Sequence, residues 1–251
     1  EVGEARSWYA RLVGKLGEPV ARAALKQAMR ILGHQFVMGR DIGEALERAA
    51  GKDEKAYRYS FDMLGEAALT RADAERYREK YSAAIAAVGR AVESRESITG
   101  RHSISIKLSA LHPRYEFAQS GRVVRELYPV VEQLVRESRD AGIGVTLDAE
   151  EAERLEISLL LVDKLLDSEV TRGYAGFGLA VQAYQKRAYG VIEWLIDKTR
   201  ASDRRITMRL VKGAYWDSEI KRAQERGLAG YPVFTRKPNT DVAYLACAKL
   251  L

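Results

Sequence analysis

Five short runs with strand character are threaded through the chain: RYSFDML (58–64), SISIKL (103–108), GVTLD (144–148), GFGLAVQ (176–182) and ITMRLV (206–211). Helical stretches at about 71–94, 122–141, 150–167, 185–200 and 216–228 lie between and after them. Strands alternating with helices build βαβ units and a parallel sheet. Parity decides which kind. One face carries Tyr59, Phe61 and Met63; Ile104, Ile106 and Leu108; Val145 and Leu147; Phe177, Leu179 and Val181; Ile206, Met208 and Leu210. The other carries Ser60 and Asp62; Ser105 and Lys107; Thr146 and Asp148; Gly178, Ala180 and Gln182; Thr207 and Arg209. Alternate side chains of a strand point to opposite faces. A doubly wound sheet is covered by helices on both faces and needs both apolar. A closed β/α barrel turns its second face inward, where small and polar residues surround a ligand. The expected fold is therefore α/β: a TIM-like β/α barrel, represented by about five strand-helix units.

The polar inward residues fall late in each strand, with Glu66 just past the first and then Lys107, Asp148, Gln182 and Arg209. Barrel active sites lie at the carboxyl ends of the strands. Convergence on one rim predicts that Lys107 points into the barrel mouth near Asp148 and Arg209. The same residues would also suit structural ion pairs, because a buried charge needs a partner whether or not it meets a ligand.

The first 50 residues read as helical, so residues 1–54 form a lead-in segment and 55–251 the barrel part. In EPVARAALKQAMRILGHQFVMG, Pro19 suits a first turn, and Leu25, Met29, Leu32 and Phe36 recur at helical spacing. Asp41 and Glu44 have the spacing of a capping box for a helix running to about Ala50. Gly142 and Gly144, then Gly173 and Gly176, mark helix ends before strands. The chain starts without Met and stops inside TDVAYLACAKLL, where Thr240 reads as an N-cap, so both ends are expected to be cuts in something longer.

RLVKGAYWD (209–217) is the densest motif. Arg209 ends a strand, Lys212-Gly213 makes a turn, and Tyr215-Trp216 supply flat aromatic surface. Gly213 lets backbone approach closely, and the following helix offers N–H donors to an anion. These features suit a flat ligand bearing phosphate; they equally suit an ordinary strand-turn-helix with core aromatics. Thr235-Arg236-Lys237 is either a phosphate clamp or a solvated charge run. Neither G-x-G-x-x-G nor G-x-x-x-x-G-K-[ST] is present, which argues against Rossmann and P-loop sites. A net charge of +6, spread along helices rather than clustered, leaves nucleic-acid binding a minority reading, and the one cysteine, Cys247, excludes an intrachain disulfide framework. His34, His102 and His112 lack metal-ligand spacing, so no metal is expected.

YSFDMLGEAALT, SISIKLSALHPRYE, TLDAEEAERLE, VQAYQKRA, MRLVKGAYWDSEIKRAQ and YPVFTRK resemble, in order from about Leu16 to Leu251, the proline dehydrogenase domain of bacterial proline utilization A proteins. The resemblance implies a barrel holding non-covalent FAD and oxidation of L-proline to Δ1-pyrroline-5-carboxylate, with electrons passed to a membrane quinone. It also implies a pyrroline-5-carboxylate dehydrogenase module in the parent chain, a homo-oligomer, and a cytoplasmic protein peripheral at the inner membrane. No DNA-binding domain shows in this chain. Arg209 would hydrogen-bond the flavin ring at N5 and Gln182 would contact its pyrimidine side. Val211, Lys212, Gly213, Ala214 and Trp216 would line ring, ribityl and phosphates, and Thr235, Arg236 and Lys237 would hold the nucleotide end. Lys107 would bind the proline carboxylate, Asp148 would sit beside substrate and flavin, and Tyr215 would wall the pocket. Glu66 would pair with an arginine of a late helix.

A barrel of this type needs eight strands. The last three, with a gating tyrosine and paired arginines, are expected beyond Leu251, so the 251 residues alone should be poorly active. Pro238-Asn239 stands where the family has a bulkier pair. Two other readings use the same residues: a Schiff-base lyase with Lys107 or Lys212 as the amine, and a catalytically incomplete ligand-binding or scaffolding remnant.

Overall fold

The computed structural model describes residues 18–51, 57–65, 67–92 and 97–251. Two compact units divide the chain, one ending at Ala56 and the other spanning Tyr57–Leu251. The first holds α1 (Glu18–Phe36) and α2 (Ile42–Ala49). The Asp41 side chain accepts the Glu44 N–H at 3.0 Å, which fixes where α2 begins.

The second unit is a run of strand-helix pairs. In order these are β1 (Ser60–Asp62), α3 (Arg71–Arg90), β2 (Ser103–Ile106), α4 (Ser120–Asp140), β3 (Gly144–Leu147), α5 (Leu155–Asp167), β4 (Phe177–Gln182), α6 (Ala188–Ser202), β5 (Thr207–Val211) and α7 (Trp216–Glu225). The helix α8 (Lys237–Leu250) follows. All four strand pairs are parallel and the sheet order is β1-β2-β3-β4-β5. Among the described residues each strand thus pairs only with its sequence neighbours, which is the winding of a β/α barrel and not of a doubly wound sheet.

Curvature shows in one side chain. Four inter-strand spacings of about 4.8 Å would part β1 from β5 by roughly 19 Å in a flat sheet. Yet Arg209 on β5 donates to the Ser60 hydroxyl on β1 at 2.5 Å. The sheet curls, and its polar face is on the inside.

Register confirms the parity. Phe61 pairs with Ile104, Ile104 with Val145, Val145 with Phe177 and Leu179 with Met208. Ile104, Ile106, Val145, Leu147 and Phe177 are fully buried on the helix-covered face. Burying such a side chain is worth roughly 1.5–3 kcal/mol. The edge strands β1 and β5 are less covered than β2, β3 and β4, since each has one neighbour.

Local signals set the helix starts. A reciprocal capping box opens α3: Thr70 Oγ1 accepts the Asp73 N–H at 3.1 Å and Asp73 accepts the Thr70 N–H at 2.8 Å. After α4, Gly142 turns the chain at φ +69, and the Ile143 N–H reaches back to the Ser138 carbonyl at 3.0 Å. Several boundaries differ from expectation. Leu108 belongs to a 3₁₀ turn, Leu108–Leu111, that starts once β2 has run past its neighbours. Thr240 is not an N-cap; it is buried inside α8, which begins three residues earlier with Arg236 at the cap and Pro238 in its first turn. Proline is preorganised for that first turn, and its signal outweighs the threonine's. No helix among the described residues is long and apolar enough to cross a membrane.

Candidate active site

The carboxyl ends of the strands bring together a compact set of charges. Lys107 follows β2 and heads the 3₁₀ turn. Its Nζ lies 2.7 Å from each carboxylate oxygen of Asp62 and 3.2 Å from Asp148 Oδ2. Arg209 donates from Nη1 to Asp148 Oδ1 at 3.1 Å and to Ser105 Oγ at 2.9 Å. Ser60 and Ser105 hydroxyls are 3.0 Å apart. The Asp148 carboxylate is therefore split between two cations, and its backbone N–H is fixed on the Ile106 carbonyl at 2.9 Å. These residues share one face because the chain alternates with period two.

Electrostatics follow from that crowding. Burial alone would lower the Lys107 ammonium, but the Asp62 hydrogen bonds and the Asp148 charge outweigh it and hold the pKa above its ordinary value. Burial raises the Asp148 carboxyl; the Lys107 charge opposes this, Asp62 adds to it, and Arg209 opposes. At Asp148 the folded chain holds a proton more tightly than the unfolded one. Its contribution to stability is thus full below the ordinary 3.8 and is lost as pH rises through the raised value. Asp148→Asn is expected to remove that loss. The melting temperature of the variant, relative to the unaltered protein, should then climb as pH rises above the ordinary 3.8 in thermal melts.

Gln182 lies on the same inner face but joins loops rather than charges. Its Nε2 donates to the Glu150 carbonyl at 2.8 Å, and its Oε1 accepts the Ala214 N–H at 3.0 Å. Glu150, buried, accepts the Ser109 N–H at 3.0 Å and pairs with Arg154 at 2.6 Å. Glu219 on α7, also buried, takes the Ala152 N–H at 2.6 Å. The loops after β2, β3, β4 and β5 are thereby tied together just outside the charge cluster.

The turn from β5 into α7 is shaped by Gly213 at φ +144. Tyr184 lies under it, with its N–H on the Lys212 carbonyl at 2.7 Å, while the Ala183 N–H meets the Val211 carbonyl at 2.8 Å. Val211 faces inward beside Gln182. Tyr215, half-buried, and Trp216 begin α7, and the Trp216 indole donates to the Phe234 carbonyl at 3.0 Å. Gln185 and Val233 form an antiparallel bridge, which brings the segment before α8 to the rim. There Asp241 clamps Lys212 at 2.5 Å and Lys237 at 2.9 Å. Both lysines pull the Asp241 carboxyl below the usual carboxylate range. Thr235 and Arg236 are exposed beside them. Glu66 lies outside the described residues.

Of the candidate residues, Lys107, Asp148 and Arg209 converge in one hydrogen-bonded cluster; Lys212 and Lys237 form a second, and Gln182 with Ala214 bridges loops. Sequence reasoning passed over Asp62, Ser60, Ser105 and Asp241 as site residues. Parity carried the signal for the first three, and the i,i+4 spacing from Lys237 carried it for Asp241.

Known proteins share this sequence and fold. The model of a family described as proline dehydrogenase matches residues 45–251. The chain is 56% identical over 241 residues to the bifunctional protein PutA of Klebsiella aerogenes, covering 96% of this chain and 18% of that protein. With the PutA of Rhizobium meliloti it shares 51% over 236 residues, covering 94% of this chain and 19% of that one. It therefore spans about a fifth of the length of these curated relatives. A crystal structure of a variant of Bradyrhizobium japonicum proline utilization A superposes with TM-score 0.82 at 52% identity, over 95% of this chain and 24% of that one. The Bdellovibrio bacteriovorus protein inactivated by N-propargylglycine superposes with TM-score 0.83 at 27% identity, over 90% and 25% respectively. By sequence and by fold, the chain belongs to the proline dehydrogenase family.

Proposed function

We propose that this chain forms part of an FAD-dependent L-proline dehydrogenase, oxidising proline to Δ1-pyrroline-5-carboxylate and passing the electrons to a membrane quinone. The observation that carries the reading is the convergence of Lys107, Asp148 and Arg209 on one inner rim beside the cationic Lys212–Lys237 pair. In the parent protein a pyrroline-5-carboxylate dehydrogenase module would consume the product, in keeping with relatives named bifunctional.

The donor set fits a flavin dinucleotide. Arg209 offers a fixed cation on the inner face, and Lys212 and Lys237 offer two more at the rim, where α7 and α8 begin. Arg209 and Gln182 would face the ring system. Val211, Gly213, Ala214 and Trp216 would flank ring and ribityl, with Thr235, Arg236, Lys212 and Lys237 toward the phosphates and nucleotide. When bound, FAD supplies the acceptor for the two electrons that leave the substrate as hydride.

The chain's own residues do the rest. Lys107 holds the substrate's carboxylate, as a cation in a partly dry cleft does well. Tyr215 walls the ring of the substrate. Asp148 fixes the directions of Lys107 and Arg209 at once, since one oxygen serves each. Arg209, held by Ser60, Ser105 and Asp148, presents positive charge where negative charge accumulates, without having to reorganise during the reaction. A hydride leaves the carbon beside the substrate nitrogen and the N–H proton is lost, so a C=N bond forms. The Schiff-base reading fares worse. Its amine must be neutral to attack, whereas the surrounding carboxylates keep Lys107 and Lys212 protonated.

The test is purification of the full-length gene product with flavin supplied. A yellow protein that reduces a dye in the presence of L-proline is expected; a colourless one without proline-dependent reduction would refute the reading. A polypeptide of these 251 residues alone would leave β1 and β5 with one ladder partner each and should turn over proline poorly. Its matching the full-length rate would overturn that part.

A further inference from the structure

Asp62 is the rim carboxylate that the proposed chemistry leaves unused. It sits at the end of the edge strand β1, with both oxygens 2.7 Å from Lys107 Nζ, while Asp148 meets the same ammonium at 3.2 Å. An ammonium has three N–H donors. These three contacts leave none for an incoming anion. A carboxylate ligand can reach Lys107 only by displacing one of the two.

We propose, on the reading that Lys107 receives the substrate's carboxylate, that Asp62 is an internal stand-in for that carboxylate and that binding exchanges the one for the other. Geometry singles out Asp62 as the partner that leaves. Among the described residues its hydrogen bonds go to Lys107 alone, whereas Asp148 is also held by Arg209. The Asp62 side chain is 42% exposed against 14% for Asp148, so Asp62 regains water when it lets go and Asp148 does not. Charge balance points the same way. Lys107 and Arg209 carry two positive charges, and Asp62 and Asp148 two negative. A third carboxylate in the same space would be uncompensated among these residues unless one moved out. Asp148 already registers the crowding, since burial and the neighbouring Asp62 both favour its protonated form.

The exchange makes Asp62 a specificity residue. A cyclic amine without a carboxylate offers Lys107 nothing in return for Asp62. A cyclic amino acid offers an equivalent anion together with the contacts of its ring. Asp62 lowers the affinity for every carboxylate ligand by the strength of its own ion pair, and that is the quantity a substitution recovers.

The experiment compares Asp62→Asn, Asp62→Ser and Asp62→Glu with the unaltered full-length gene product. Two readouts are used: KM and kcat for L-proline by dye reduction, and calorimetric titration with cyclopentanecarboxylate, which has the carboxylate but no amine to oxidise. For Asp62→Asn, or Asp62→Ser if the first variant folds poorly by thermal melting, both KM and the dissociation constant should fall by roughly three- to tenfold. Asp62→Glu, which keeps the anion, should show no such gain. Unchanged or weakened carboxylate binding in the neutral variants would overturn the proposal even where proline is oxidised. Tighter carboxylate binding in a protein that does not oxidise proline would uphold Asp62's role and sink the dehydrogenase reading instead.

Discussion

Arg209→Met is expected to lower proline-dependent turnover by roughly 10²- to 10³-fold, the scale seen when a preorganised donor is removed from developing negative charge. Methionine keeps much of the stem but removes every hydrogen bond to Ser60, Ser105 and Asp148. The Arg209 side chain is 36% exposed, so solvent screens part of what is lost and the melting temperature should move far less than the rate. Arg209→Lys tests geometry separately from charge. A single ammonium cannot span hydroxyls on β1 and β2 together with a carboxylate after β3, as the guanidinium fork does. It should therefore recover only a small part of the rate. Steady-state kinetics together with the flavin content by absorbance check this. Near-normal kcat in the methionine variant with flavin retained would show that Arg209 is only a strut.

Gly213→Ala should damage both the fold and the proposed flavin site. A Cβ at this position would stand 2.4 to 2.6 Å from three ring carbons of Tyr184, and the backbone already sits at φ +144. Backbone strain of that kind costs about 1–3 kcal/mol before any clash is counted. Tyr184 has little room to yield. It is buried, its N–H is bound to the Lys212 carbonyl at 2.7 Å, and its carbonyl accepts the Phe234 N–H at 2.8 Å. A shift of Tyr184 would pull on the very segment that carries Thr235, Arg236 and Lys237. Gly230→Ala is the control, since nothing lies within 4 Å of a Cβ built there. Urea unfolding and flavin retention should both fall for the first variant and hold for the second. Equal stability of the two would contradict the close packing on Tyr184.

Period-two alternation was enough to read the winding of the sheet and the convergence of Lys107, Asp148 and Arg209, because side-chain direction in a strand is a local property. Positions governed by distant partners were less legible. Asp62, at the end of an edge strand, looks solvated until Lys107, just beyond β2, is known to reach across to both its oxygens. Gln182 has the right parity, yet its amide is engaged by backbone at Glu150 and Ala214, two groups no alternation pattern can show. The start of α8 depended on which of two local signals won, and the ring constraint of Pro238 prevailed over the hydroxyl of Thr240. The expectation of proline and flavin came only through resemblance, since a polar rim specifies charge and spacing but not the molecule that uses them.

The sequential winding of the sheet also bears on how the chain assembles. Because every strand pairs with the one synthesised just before it, each unit can dock as it leaves the ribosome, without waiting for distant sequence. The bond from Arg209 to Ser60 spans 149 residues and cannot form until β5 has emerged. Synthesis order thus makes the inner polar rim the latest part of these five units to be completed.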